Sequence, residues 1–234
     1  MKIHRFFVSD LKLENNIILR EKSLLHQWQK VLRFKPGQQV VLFDGNTQDK
    51  LYSIDNFSDS EAHLRHMADN ELMLPNRKIY LIFSLLKKDK NDWVLQKCTE
   101  IGVSHFVPLI ADRSEKTGFK LERAQKIVIE ASEQCGRSDI PSVRQPVSIT
   151  TVISDLTGKI YLNVAEQYAE HSSQFTADSI QFKNPVGIFI GPEGGWSERE
   201  KQLFKDRGIK QLALSNFTLR AETAAVTAAG KLLQ

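Results

Sequence analysis

Two segments near the carboxyl end limit what this chain can fold into more than any other part of it. The first runs Val186-Gly187-Ile188-Phe189-Ile190-Gly191-Pro192-Glu193-Gly194-Gly195-Trp196-Ser197-Glu198-Arg199-Glu200. The second runs Leu212-Ala213-Leu214-Ser215-Asn216-Phe217-Thr218-Leu219-Arg220-Ala221-Glu222-Thr223-Ala224. Each reads as an apolar run of strand length that stops in a tight turn and opens a helix. Open α/β sheets take their ligands at the carboxyl ends of the strands, so two such turns close together point to a small-molecule site.

In the first segment, glycines at 191, 194 and 195 permit positive φ and close approach of the backbone to a ligand. Ser197 followed by Glu200 is a capping box, and it starts a helix through Leu203 and Phe204. A plain strand-to-helix turn has the same composition. No phosphate-loop Lys-Ser/Thr follows and no GxGxxG occurs, so standard nucleotide loops are unsupported. In the second segment, Arg220 and Glu222 stand at the entrance of an alanine-rich helix from Ala221 to Leu233. A surface ion pair there would be worth less than about 1 kcal/mol.

The remaining chain fits the same class. From Lys78 onward, strand Ile79 to Leu86, helix Asn91 to Ile101 stopped by Gly102, and strand His105 to Ile110 follow in turn. Helix Leu121 to Cys135, with apolar residues at 121, 124, 128, 131 and 135, ends at Gly136, and strand Ile160 to Val164 leads to the two motifs. Alternation of this kind predicts a mostly parallel sheet with helices on both faces. Before Asp69 the rhythm is different. A helix over residues 20–33 precedes short strands Gln38 to Phe43, Leu51 to Phe57 and Glu61 to Met67, which predicts a small barrel-like β domain. With a linker over Asp69 to Asn76, the expected domains are 1–72 and 73–234.

Bulk properties exclude some classes. A hydrophobic content of 41% with 26% charged residues is that of a soluble globular chain, and no apolar run approaches a membrane span. The amino terminus carries no signal-peptide pattern, so a cytoplasmic location is expected. Cys98 and Cys135 read as buried free thiols rather than a disulfide or metal site. The net charge of +4 permits nucleic acid without demanding it. Residues 1–72 hold 10 basic and 10 acidic side chains and residues 73–234 hold 22 and 18, so the excess lies in the second part.

Taken together, Ile-Gly-Pro-Glu-Gly-Gly and Leu-Arg-Ala-Glu-Thr-Ala resemble the carboxyl-terminal motifs of the RsmE family. The likeness extends to Gln96 to Val103, Glu130 to Arg137, Val31 to Gly37 and Leu42 to Gly45, in the family's order and over essentially the whole chain. The resemblance implies a SPOUT-type α/β fold: a trefoil-knotted parallel sheet with helices on both faces, preceded by a PUA-like RNA-binding β-barrel. It implies a methyltransferase that uses S-adenosylmethionine on uridine N3 of small-subunit (16S) ribosomal RNA, acting as a homodimer without a metal. Ribosomal RNA or the small ribosomal subunit is then the partner.

By the same resemblance, the cofactor would be held by Leu162, Asn163 and Glu166, by Phe189, Ile190, Gly191, Glu193 and Gly194, and by Leu214, Ser215, Asn216, Leu219 and Arg220. Arg220 would stabilise charge developing on the uracil. Glu222 would act as base or orient Arg220, with orientation favoured because an unperturbed carboxylate is a weak base. Phosphates of the RNA would meet Arg5, His26, Lys30 and Arg33 from the small domain and Lys88, Lys90 and Arg137 from the larger one. His26, Lys30 and Arg33 are spaced to share one helical face. Trp93 fits a helix's apolar side, which leaves Trp196 for stacking on a base. Ser215 stands where many members carry glycine, and since serine disfavours positive φ a different turn is expected there. An inactive RNA-binding protein of this fold, or methylation at another RNA position, are the alternatives.

Overall fold

The computed structural model describes residues 3–58, 60–115, 118–154, 160–164 and 185–233. The chain divides into two compact units, Met1–Leu74 with Ser132–Ile140, and Pro75–Ala131 with Pro141–Gln234. The return of residues 132–140 to the first unit departs from the simple two-part division that the sequence predicts.

The first unit is a five-stranded sheet. Its strands are β1 (His4–Phe7), β2 (Asn16–Leu19), β3 (Gln39–Phe43), β4 (Asp49–Phe57) and β5 (Ala62–Asp69), in the order β1-β3-β4-β5-β2. β1 runs parallel to β3 and the remaining pairs are antiparallel. Phe6, Leu25, Trp28, Leu42, Tyr52 and Ile54 share its core. The helix expected over residues 20–33 is a short α1 (Lys22–His26) that widens into a π-helical turn, Gln27–Val31. There Leu32 N–H donates to the Gln27 carbonyl, a five-residue step. The wider turn carries residues 31–33 out of α-helical register. Val31, expected on the apolar side, is 65% exposed, and Arg33 has left the helix with φ 54°.

One buried ionic cluster fixes residues 132–140 to this sheet. Arg5 donates to both oxygens of Asp49 at 3.3 and 2.6 Å, and Asn70 and the Ser138 hydroxyl donate to the same carboxylate at 2.9 and 2.7 Å. Asp49 is 2% exposed. Burial by itself raises its pKa, but the hydrogen bonds from Arg5, Asn70 and Ser138 outweigh it and hold the carboxyl below its ordinary value. Glu133 adds a bond by accepting from the Phe7 N–H at 2.9 Å.

The second unit is a parallel sheet with the strand order β12-β10-β11-β6-β7-β8. The strands are β6 (Ile79–Ser84), β7 (His105–Ile110), β8 (Ser142–Val143), β10 (Ile160–Val164), β11 (Val186–Ile190) and β12 (Lys210–Leu212), with β9 (Val147–Ser148) also pairing β7. β11 is buried at every position, as strands covered on both faces are. On one face Ile82, Val107 and Phe189 pack with Ile149 and Ile153 of α4 (Ile149–Ser154) and Phe204 of α5 (Glu198–Asp206). α6 (Ala221–Leu233) packs against α2 (Lys88–Ile101) and against β6 and β11. Its buried side is Ala224, Ala225, Ala228 and Ala229, small enough for a close approach to the sheet.

α3 (Leu121–Cys135) buries Ala124, Val128 and Ala131, but its apolar stripe expires before the helix does. Cys135, the last helical residue, is exposed, contrary to expectation. Cys98 on α2 is buried, and desolvation pushes its thiol pKa up. After β12 the chain turns back and begins α6 beside β6 and β11, so residues 213–220 cross the carboxyl ends of β10 and β11. The expected knot involves residues 165–184 as well, and these lie outside the described residues.

Candidate active site

The turn after β11 is shaped by what its glycines leave out. A Cβ on Gly191 would lie 3.1 Å from the Trp196 indole, tighter than nearly all real contacts. Trp196 is buried, and its indole N–H donates to Asn163 Oδ1 at the end of β10 at 2.8 Å. Gly195 takes φ 70°, and its N–H closes the turn on the Pro192 carbonyl at 2.9 Å. The capping box expected at Ser197 and Glu200 forms, stabilising the start of α5 by about 1 kcal/mol. The buried Glu200 carboxylate also accepts from the Asp112 N–H at 2.9 Å, and Arg113 donates to the Gly194 carbonyl at 2.9 Å. The loop after β7 therefore braces the glycine turn.

The second turn is held by side chains instead. The Ser215 hydroxyl accepts from the Phe217 N–H at 3.1 Å, and Lys231 donates to the Leu214 carbonyl at 3.1 Å. Among the described residues Arg33 alone of the non-glycines has positive φ, so serine at 215 imposes no strain. The hydroxyl supplies a local bond of the kind serine makes in turns.

The two turns close on one cavity of about 670 Å³, within the range of small-molecule sites. Val164 and Ile190 form its floor with Trp196, the glycine turn one wall, and Leu214 to Ala221 another. Arg220 lines it and Phe217, 81% exposed, stands at its rim.

Beside the cavity lies a charged group. Lys90, in the first turn of α2, donates to Glu193 and sits 3.7 Å from Glu222 Oε1. The hydrogen bond to Glu193 is the main cause raising the lysine's pKa; the Arg220 charge works against it. Glu222 Oε2 is buried and has no hydrogen-bond partner among the described residues. Among the described residues no ion pair joins Glu222 to Arg220; the ion pair of Glu222 is with Lys90. Glu222 turns to Lys90, and it is absent from the cavity lining that Arg220 shares.

Of the residues expected around a cofactor, Ile190, Gly191, Glu193, Gly194, Leu214, Ser215, Leu219 and Arg220 line the cavity. Leu162 and Phe189 do not; both are sealed in the core, Phe189 against Phe204. Asn163 stands behind the wall and holds Trp196. Asn216 is exposed outside the lining, and Glu166 lies outside the described residues.

The expected phosphate contacts divide too. Arg5 and Arg137 are corrected. Arg5 is spent on Asp49, and Arg137, 6% exposed, is paired with Asp139 at 2.8 Å. Lys90 is engaged by two carboxylates. His26, Lys30 and Arg33 are exposed, but the π-helical turn denies them a common helical face. Lys88 opens α2, and its side chain is not among those described.

The two tryptophans exchange their expected places. Trp93 is 40% exposed while Val94, Leu95 and Cys98 take the inner side of α2, and Trp196 is the buried one. Val164, Phe217 and Thr218, inside the stretches expected to form the cofactor loops, also line the cavity; sequence reasoning missed Gly195, Ala221 and Ala224 in the lining, and the brace from Asp112 and Arg113.

Residues 73–233 match the family model of the RNA methyltransferase domain. A protein of Aquifex aeolicus named ribosomal RNA small subunit methyltransferase E is 30% identical over 94% of this chain and 95% of its own length. One of the same name from Rickettsia conorii is 27% identical over 97% and 94%. The crystal structure of a ribosomal RNA small subunit methyltransferase E from Neisseria gonorrhoeae, bound to S-adenosyl methionine, is similar with a TM-score of 0.87 and 26% identity, covering 97% of this chain and 95% of that one. The chain belongs to the RNA methyltransferase family, in agreement with the SPOUT-type α/β class expected from its motifs.

Proposed function

We propose that this RNA methyltransferase transfers a methyl group from S-adenosylmethionine to N3 of a uridine in small-subunit ribosomal RNA, as a homodimer in the cytoplasm. The observation that carries the reading is the convergence of both motifs on one cavity at the carboxyl ends of β10 and β11, with a guanidinium in its wall. The names of the Aquifex and Rickettsia relatives support the substrate class, and the ligand of the Neisseria relative supports the cofactor. The residues present fit that cofactor. The Gly191 backbone leaves room that a Cβ would fill against Trp196, and Ile190, Leu214 and Leu219 offer apolar surface beside backbone groups. When bound, it supplies an electrophilic methyl carbon.

The chain's part is positioning and charge. Uridine N3 becomes a nucleophile as its imide proton passes to solvent water, and negative charge spreads onto the ring carbonyls. Arg220 lines the cavity, and its guanidinium can hold that charge. Glu222 serves by engaging Lys90 rather than as the base. Phe217 at the rim takes over the stacking expected of Trp196, since it offers an exposed aromatic face to an unpaired base. In the first unit, read as the PUA-like module, Lys30 and Arg33 are exposed cations for RNA phosphates, and His26 is exposed as well. Among the described residues no helix is long and apolar enough to cross a membrane, and no group of His, Cys, Asp or Glu could hold a metal ion.

Mass mapping of methylated nucleosides in small-subunit RNA tests this, comparing cells with the gene, without it, and with Arg220→Ala. One N3-methyluridine absent from the last two is expected. An unchanged methylation pattern overturns the reading, and a different lost nucleoside moves the reaction to another position.

A further inference from the structure

We infer that Lys90 is a positioning residue for this reaction: its ammonium ties the turn after β11, through Glu193, to the first turn of α6, through Glu222, and so sets the spacing between the glycine backbone and Arg220. The inference rests on the methyl-transfer reading of the cavity.

The geometry is specific. Glu193 lines one wall and Arg220 the other, and Lys90 reaches the carboxylates that belong to both. The lysine comes from a firm base. Asn91, next to it, is buried and uses its side-chain amide to bond both the N–H and the C=O of Leu86, at 2.9 and 2.7 Å. α2 in turn packs along α6. Glu222 depends on this partner, since its Oε2 is buried and receives no hydrogen bond from the described residues. A buried carboxylate oxygen without compensation is costly, and the only cation within 4 Å of Glu222 among the described residues is Lys90.

Removing Lys90 leaves Glu193 and Glu222 facing each other as like charges across the space it filled. Repulsion between them separates the two turns, and displacements of about 1 Å cost up to about 100-fold in rate. A lysine used only to meet an RNA phosphate behaves otherwise. Its loss weakens RNA binding, flattens the salt dependence, and leaves turnover intact once RNA is saturating.

The test uses the full chain with Lys90→Met, Lys90→Arg, Glu222→Gln and the Lys90→Met/Glu222→Gln pair, with thermal melting to verify folding. Single-turnover methyl transfer to saturating small-subunit RNA should slow by up to about 100-fold in Lys90→Met. Lys90→Arg, whose fork can span two carboxylates, should recover most of it. The pair should be no slower than Lys90→Met alone, the mark of residues acting as one unit. The salt dependence of RNA binding should not change. Wild-type transfer by Lys90→Met, or a defect that vanishes at saturating RNA with a flatter salt dependence, overturns the inference. If Lys90→Met does not fold, Glu193→Gln breaks the same bridge from its exposed end and should slow transfer; no slowing overturns it. If the wild type itself does not methylate this RNA, the functional reading fails separately. Calorimetric affinity for S-adenosylmethionine then decides the case of Lys90: it should weaken severalfold in Lys90→Met, and unchanged affinity ends the proposal.

Discussion

The Arg5–Asp49 cluster in the first unit and the Lys90–Glu193–Glu222 cluster in the second both pair a cation with carboxylates and end in different states. Asp49 receives four hydrogen bonds, from Arg5 twice, Asn70 and Ser138, and is closed to solvent. Among the described residues Glu222 has one cation, at 3.7 Å, and an oxygen with no hydrogen-bond partner, beside an open cavity. The fully bonded Asp49 carboxylate holds a fold together, although Arg5 Nε beside it is buried with no partner among the described residues. A partly satisfied one beside a cavity keeps capacity for something else. Charge alone does not separate the two; the state of the partners does.

The strongest way to break this comparison is Asp49→Ala. Leaving Arg5 buried without its partner should lower stability by about 3–5 kcal/mol in urea unfolding. A loss below about 1 kcal/mol would make the cluster incidental. The pH dependence sharpens the point. The folded pKa of Asp49 lies below its ordinary value, so its stabilisation is present above that ordinary value and fades as pH falls through the depressed one. Asp49→Asn should remove this acid-side dependence from the unfolding curve.

Arg220→Ala comes next and should act on turnover alone. The expected fall is about 100- to 1000-fold, with melting unchanged because the side chain is exposed. A drop in melting temperature would place Arg220 among the structural charges instead. Ser215→Ala removes one turn hydrogen bond and should weaken S-adenosylmethionine binding by about 1 kcal/mol, roughly fivefold. The smallest effect is expected from Lys30→Gln with Arg33→Gln. The slope of log affinity for RNA against log salt should become shallower by about two, with cofactor affinity unmoved. An unaltered slope would remove the first unit's cations from RNA contact.

What was legible in the sequence was local. His105 to Ile110, Leu121 to Cys135, Ile160 to Val164 and Val186 to Ile190 take the elements that their apolar periodicity predicts, because propensity and burial agree there. β1 and β2 were missed: each is four residues long, and neither is bounded by a turn signal strong enough to mark it. The site was legible as two motifs, but several of its corrections come from distant partners. Arg5 meets a residue 44 positions away, Trp196 one 33 away, and Lys90 one 103 away. No pattern within a helix or turn encodes such pairings. Trp93 and Trp196 were exchanged for that reason, since Asn163 and the bare backbone at Gly191 draw Trp196 inward.

The two cysteines provide a built-in gauge of the folded state. The open thiol of Cys135 accepts an alkylating reagent in the native chain, while Cys98 reports only when the α2 core opens. Counting labels by mass, one against two, therefore measures the unfolded fraction of any variant above without an added probe. The spacing of those labels in time would rank the variants by how often that helix lets go.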